Sequence, residues 1–250
     1  MRLTKNNTKK KTSFCWRGKH LKVDILYSRA GVAQQVFVNS KQGSILIDAG
    51  DGVLRDLWTR AFAWERLKGI IFTHGHFDHI GGLYSLLAFM RMIGRKGLLE
   101  IAAPENCEEV GCLIDCYLQK YSTTSPFQLA FKYLKPGQSI QIAGMVIQAY
   151  KAVHCGSIKT IGITSQLPAL SYRLVADGEV VALSGDTGKS APLKELVKDA
   201  DLAILEATYE KSSDVSSEYL EKVHLSEDIA HEIGKLAKEY ILIHKAKRQQ

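Results

Sequence analysis

The stretch "FTHGHFDHIGG", residues 72–82, puts three histidines and an aspartate into the six positions 74–79. The apolar run "GIIFT" (69–73) leads into it, with the length and β-branched content of a buried strand. His74, His76, Asp78 and His79 therefore begin where that strand ends. Along an extended segment His74 and His76 face the same side, and a turn after them swings Asp78 and His79 round to a neighbouring point. Gly81 and Gly82 then release the backbone before a helical segment. Imidazole and carboxylate are ligands of zinc and related divalent ions, and four of them so close together exceed what one ion needs. The spacing points to His74 and His76 on one metal ion, with Asp78 and His79 on a second.

Each site needs further ligands, and the chain offers them in one recurring context. His154 ends the apolar run "MVIQAYKAVH" (145–154), Asp186 follows "VVALSG" (180–185), and His244 ends "YILIH" (240–244). All are polar residues just past a strand-like run, where a buried strand delivers its end to an open sheet edge. Asp48, in "ILIDAGDG" (45–52), shares the pattern.

Further strand-like runs are "KVDILY" (22–27), "QVFVN" (35–39), "SILID" (44–48), "LLEIAA" (98–103), "FQLAFKYL" (127–134), "SYRLVA" (171–176), "EVVALSG" (179–185) and "DLAILEA" (201–207). Helical segments lie between them, near 52–64, 82–93, 105–120, 191–198 and 226–239. The last is the clearest, with Ser226 placed to cap it and Ile229, Ile233, Leu236, Ala237 and Tyr240 on one face. "ADGE" (176–179) is a strong hairpin signal. The pattern fits a four-layer αββα sandwich, in which two mostly antiparallel sheets pack face to face with helices outside.

A hydrophobic content of 46% with 24% charged residues describes a globular chain, and its apolar runs are too short to span a bilayer. No apolar stretch follows the basic N-terminus, so no secretory signal is expected. Cys15, Cys107, Cys112, Cys116 and Cys155 make an odd count without a CxxC pair, which reads as reduced thiols and a cytoplasmic location. The formal charge of +7 is concentrated: eight of the 33 basic residues lie in 1–22 with no acid among them, leaving 25 against 26 acidic groups elsewhere. We read 1–22 as a basic, solvated tail that could also contact nucleic acid, and 23–250 as a single domain. His20 and His231 need no functional role.

The signature HxHxDH, with Asp48 upstream and His154, Asp186 and His244 downstream, resembles the metallo-β-lactamase superfamily from about Val23 to Arg248. The resemblance implies an αββα sandwich with two divalent metal ions, zinc first and manganese or iron as alternatives, at one edge. It implies His74, His76 and His154 on the first ion, Asp78, His79 and His244 on the second, and Asp186 between them. Asp48 would accept from a ligand histidine and so fix its tautomer. A homodimer is also implied.

Within the superfamily, Glu206 in "LEAT" and His224 in "HLS" are similar to paired motifs of the ribonuclease Z-like phosphodiesterases. There a Glu–His pair passes a proton to the departing oxygen, as an alkoxide leaving group requires. Arg248, "SYR" (171–173) and "SGDTG" (184–188) match other segments of that branch. Leu205 departs from it where histidine is usual, as does Ala246 where serine is usual. The glycine- and proline-rich arm that grips transfer RNA is not visible, and "CGSIKTIGITSQLPAL" (155–170) stands after His154 instead. That loop either shapes a small-substrate pocket or is a surface excursion. The expected activity is a dinuclear metal-dependent phosphodiesterase acting on RNA or on a small or cyclic phosphodiester, with Asp78, Glu206 and His224 as its catalytic residues. A thioester or lactone hydrolase, or a non-catalytic metal-binding accessory protein, are the alternatives.

Overall fold

The structure, a computed structural model, describes residues 14–246. Its first sheet takes β1 (Cys15–Arg17), β2 (Lys22–Arg29), β3 (Ala33–Asn39), β4 (Ser44–Ile47), β5 (Leu67–Ile71), β6 (Gly97–Pro104) and β7 (Phe127–Leu134), in that spatial order. The chain then enters β8 (Ser139–Ile142) and β9 (Met145–Lys151), makes a separate hairpin of β10 (Cys155–Ile158) and β11 (Gly162–Gln166), and continues through β12 (Leu170–Ala176), β13 (Glu179–Leu183), β14 (Leu202–Glu206) and β15 (Glu239–Ile243). The second sheet runs β15-β14-β13-β12-β9-β8.

Period-two alternation sorts the side chains into layers. Val36 and Val38 of β3, Ile45 and Ile47 of β4, and Leu202 and Ile204 of β14 all enter the core between the sheets. Their neighbours face outward. Phe37 and Leu46 meet α1 (Val53–Trp58), α3 (Leu83–Met92) and α4 (Glu108–Tyr121), while Ala203 and Leu205 meet α5 (Ala191–Val197) and α7 (Glu227–Gly234). The result is the αββα sandwich. Two short helices, α2 (Phe77–Ile80) and α6 (Ser217–Lys222), lie in loops. Among the described residues no helix is long and apolar enough to cross a membrane.

Both sheets are mixed rather than mostly antiparallel. The helices act as crossovers, so β4 to β7 pair in parallel in one sheet and β13 to β15 in the other. That direction matters for function, because parallel strands deliver all their carboxyl ends to one edge. β9 runs the same way as β13, since both pair antiparallel with β12.

Three readings of the sequence change. The sheet starts inside the stretch read as a tail: β1 pairs with β2, and Glu179 accepts hydrogen bonds from the backbone N–H groups of Lys19, His20 and Leu21 at 2.6, 2.8 and 2.6 Å. Residues 1–13 lie outside the described residues. The last helix stops at Gly234 rather than running to 239, and Tyr240 belongs to β15. A Cβ at Gly234 would sit 2.5 Å from the Tyr240 ring, so this glycine is what lets β15 pack there. Ser226 occupies the N-cap position of that helix but makes no capping hydrogen bond. The "ADGE" hairpin forms as read, with Asp177 and Gly178 at φ 48° and 84° between β12 and β13.

Candidate metal centre

Six strand ends converge. Asp48 follows β4, the 74–79 loop follows β5, His154 follows β9, Asp186 follows β13, Glu206 ends β14 and His244 follows β15. Asp48 and His244 hold φ angles of 60° and 54°, a left-handed conformation that a non-glycine residue adopts at a cost. Both occur where an extended chain must turn its side chain into the site. Gly75, between two of the histidines, fits tightly: a Cβ there would lie 2.5 Å from Glu109 Oε2 and 3.1 Å from Cys107 Sγ.

The loop and the separate strand ends build two clusters. His74, His76, His154 and Asp186 bring one ligand atom each to within 4.8 Å of one another, and Asp78, His79 and His244 do the same. Asp186 lies between them. Its Oδ2 is 3.8 Å from His74 Nε2 and 3.4 Å from His79 Nε2, and its Oδ1 is 3.3 Å from His244 Nδ1. His76 Nδ1 and His154 Nε2 stand 3.2 Å apart, and His244 Nε2 is 3.3 Å from Asp78 Oδ2.

Partners behind the rings decide which nitrogen faces inward. His79 Nδ1 donates to Asp48 Oδ2 at 2.8 Å, and His154 Nδ1 donates to the Val223 carbonyl at 2.8 Å. Thr73 donates its hydroxyl to Asp48 Oδ2 at 2.9 Å and stands 3.1 Å from His74 Nδ1, so it can accept from that ring. Each arrangement leaves Nε2 as the inward lone pair. His74 Nε2 and His79 Nε2 are buried without a hydrogen-bond partner. Such an orphan is expensive in a protein interior unless something outside the polypeptide satisfies it, and a divalent cation would do so for both.

Protonation fits the same reading. Burial holds His74 well below the usual imidazole range and lowers His154 to about 3, the neutral form that a metal ligand requires. For His79 burial works in the same direction, but attraction to Asp186 and Asp48 outweighs it and raises the group well above 6.5. Asp186 is destabilised by burial, yet His244 and His79 hold its carboxyl well below the usual range. A cation at the centre would replace that borrowed proton.

A family model described as a beta-lactamase superfamily domain matches residues 44–244. The chain belongs to the metallo-β-lactamase superfamily. Ribonuclease Z of Pyrococcus furiosus is 26% identical over 245 residues, covering 82% of this chain and 77% of that protein. Among solved structures, human tRNase Z short form superposes with a TM-score of 0.72 at 21% identity, over 91% of this chain and 94% of the other. YhfI, a metallo-β-lactamase fold protein from Bacillus subtilis, gives 0.72 at 20% identity, over 92% and 88%. At those identities the structures speak for the fold. The family and the two clusters together support a metal-dependent hydrolase.

This superfamily member carries a second imidazole–carboxylate pair. His224 Nδ1 lies 3.0 Å from Glu206 Oε1 and 3.9 Å from Asp186 Oδ2. Glu206 is buried and fully engaged: Oε1 also accepts from Leu225 N and Thr187 N, and Oε2 accepts from the N–H and O–H of Thr208. Burial disfavours charge on His224, but Glu206 overrides it and raises the imidazole to about 9. His224 can also be grouped with Asp186 and His244 as a ligand set. Its charged state and its commitment to Glu206 suit it better to carrying a proton.

The departure at Leu205 has a simple cause. Alternation along β14 sends Leu205 outward to the α5 and α7 layer, whereas Glu206 turns into the site. Ala246 N donates to the Thr208 carbonyl at 3.3 Å, a contact that needs no side chain. Arg248 lies outside the described residues. The loop after His154 forms the β10–β11 hairpin, whose root borders the centre: a Cβ at Gly156 would sit 4.0 Å from His76 Nε2. Its tip exposes Ile158 and Ile161. Sequence reasoning missed Thr73, Thr208 and the Val223 carbonyl. Thr73 was signalled only by preceding His74 and Thr208 only by the Glu-Ala-Thr run. A backbone carbonyl leaves no sequence signal at all.

Proposed function

We propose that this protein is a phosphodiesterase acting on RNA or on a small phosphodiester. His74, His76 and His154 would hold one divalent ion, Asp78, His79 and His244 the other, and Asp186 would serve both. Zinc suits this donor set, with manganese and iron next. When bound, such a pair of ions activates water and neutralises charge on phosphoryl oxygens. Asp48 orients His79 from behind.

The observation that carries the reading is the Glu206–His224 pair. An imidazole raised to about 9 stays charged at neutral pH, and it stands 3.9 Å from the carboxylate shared by both clusters. An alkoxide leaves poorly without a proton, whereas a thiolate leaves readily, so a held imidazolium matches P–O cleavage. His224 gives its proton to the leaving oxygen and becomes neutral, and Glu206 keeps the ring in place throughout. The ribonuclease Z of P. furiosus supports RNA as a substrate class.

The test is a metal-supplemented screen of short RNAs, cyclic nucleotides, thioesters and lactones, with Asp186→Ala as the blank. Phosphodiester turnover supports the reading. Activity confined to carbonyl substrates overturns it.

A further inference from the structure

Behind the His79 ring stands Asp48, behind His154 the Val223 carbonyl and behind His74 the Thr73 hydroxyl. His76 is built the other way round. Its Nδ1 is the inward atom, 3.2 Å from His154 Nε2, so Nε2 points away from the cluster. Among the described residues no hydrogen bond to that Nε2 is found, and His76 is the half-buried member of a cluster whose other groups are buried. A ligand imidazole ordinarily donates its second N–H, which fixes tautomer and ring plane together.

Next to that nitrogen is the root of the β10–β11 hairpin. A Cβ at Gly156 would lie 4.0 Å from His76 Nε2 and 2.5 Å from Thr164 Oγ1, so the ring and the hydroxyl flank one unfilled position. The strand pairing explains how Thr164 comes to be there. Cys155 pairs with Gln166 but Ser157 with Ile163, which sets Thr164 and Ser165 opposite Gly156 alone. A bulge of this kind re-aims a side chain, and bulges gather beside functional sites. Thr164 is half-buried and Ser165 exposed, which shows which of the two turns inward. The hairpin is also fastened to another ligand of the same cluster. β10 starts directly after His154, and Leu167 N, just past β11, donates to the His154 carbonyl at 2.8 Å. Neither the bulge nor the glycine is needed by a hairpin that only crosses the surface.

We propose that Thr164 is a positioning residue for His76. Its hydroxyl accepts the Nε2–H across the space that Gly156 leaves open, and so fixes Nδ1 as the lone pair turned toward the cluster. No hydrogen bond joins the two groups as they stand; a change of the Thr164 rotamer or a slight inward tilt of the hairpin closes it. The sandwich sets the rings of His74, His79 and His154, whereas the hairpin sets that of His76, which couples the hairpin's position to metal affinity. This rests on His76 being a ligand, as in the proposed function, and on nothing about the substrate.

The experiment titrates the full-length protein with zinc against a chelator, and wild type is expected to take up two ions per chain. Thr164→Val, which keeps the shape and removes the acceptor, should weaken one of the two ions about tenfold, and Thr164→Ser should restore it. Gly156→Ala should act like Thr164→Val, because its methyl group takes the position between hydroxyl and ring. Ser165→Val, on the outward side of the bulge, is the control and should leave both ions in place. The second readout is proton NMR of the Co(II)-loaded protein, in which the metal shifts the N–H signals of its imidazole ligands clear of the rest. One of these should exchange with solvent faster in Thr164→Val than in wild type, a change that a merely structural role would not produce. If Thr164→Val holds both ions as tightly as Ser165→Val, or if serine does not restore what valine loses, Thr164 is not the partner of His76. A wild-type chain that takes up no ion sinks the ligand assignment and this proposal together. Normal uptake with an indifferent Thr164→Val sinks this proposal alone.

Discussion

Two imidazole–carboxylate pairs face each other across this site, and they are built alike. Asp48 holds His79 at 2.8 Å and Glu206 holds His224 at 3.0 Å. Each carboxylate accepts both the N–H and the O–H of a threonine: Thr73, just past the neighbouring strand β5, for Asp48, and Thr208, two residues further along its own chain, for Glu206. The difference lies in what the far side of each ring meets. His79 is fully buried and its Nε2 has no hydrogen-bond partner, whereas the His224 side chain is 15% exposed. On the proposed reading, one carboxylate aims a ring at a cation, and the other keeps a proton available to a substrate. The same local chemistry serves two ends, and access decides which.

The sharpest way to break this comparison is to remove each ring's function separately. His224→Ala is expected to lower kcat on an RNA or cyclic nucleotide by about 10²- to 10⁴-fold while metal content stays at the wild-type value. If turnover survives, or if metal is lost with it, His224 is not the proton donor. Asp48→Ala should do the converse, costing about 10- to 100-fold in metal affinity, read by titration against a chelator. Metal affinity should also rise with pH. In the metal-free protein His79 is held well above its ordinary value, so it keeps its proton to higher pH and the ion must displace it. A pH-independent affinity would contradict that proton.

Glu206→Gln probes the second pair by pH. His224 is raised to about 9, so the stabilisation it gains from Glu206 is complete below its unfolded value and is lost as pH climbs through 9. Activity that needs its proton declines over the same limb. Removing the carboxylate charge should move the limb down toward the ordinary imidazole value, cutting kcat about tenfold or more at pH 8 and sparing pH 6. A limb that stays in place shows that another group sets it.

How much of this the sequence reveals depends on how local each part is. The 74–79 loop carries four groups in one turn, so its division between two clusters could be read directly. His154, Asp186 and His244 were legible because each ends an apolar run, and parallel pairing then brings those ends together. The pairing direction itself was misjudged. Runs such as "GIIFT" and "DLAILEA" look the same in parallel and antiparallel sheets, and only the intervening helices distinguish them. β1 was hidden by its lysine-rich surroundings, since Glu179, some 160 positions away, is what anchors the stretch after it. The β10–β11 hairpin was read as a loop because its strands are short and only their root is buried.

The smallest expected effect tests whether the two threonines are equivalent. A hydroxyl has one proton, and the charged carboxylate is its best acceptor. Each threonine oxygen is then free to accept from the Nδ1 of a different ligand histidine, at 3.1 Å from Thr73 to His74 and 3.2 Å from Thr208 to His244. On the proposed reading Thr208 thus belongs to both functions, securing the carboxylate behind His224 and setting the tautomer of His244. Thr73→Val and Thr208→Val should each cost about 1.5–3 kcal/mol, roughly 3–10 °C in Tm, because each strips a hydrogen bond from a buried carboxylate. Both should weaken metal binding by less than Asp48→Ala does, and serine at either position should restore it. If only Thr73→Val moves metal affinity, His244 takes its tautomer from Asp186 Oδ1, 3.3 Å from the same Nδ1, and the likeness between the two pairs ends at the carboxylates.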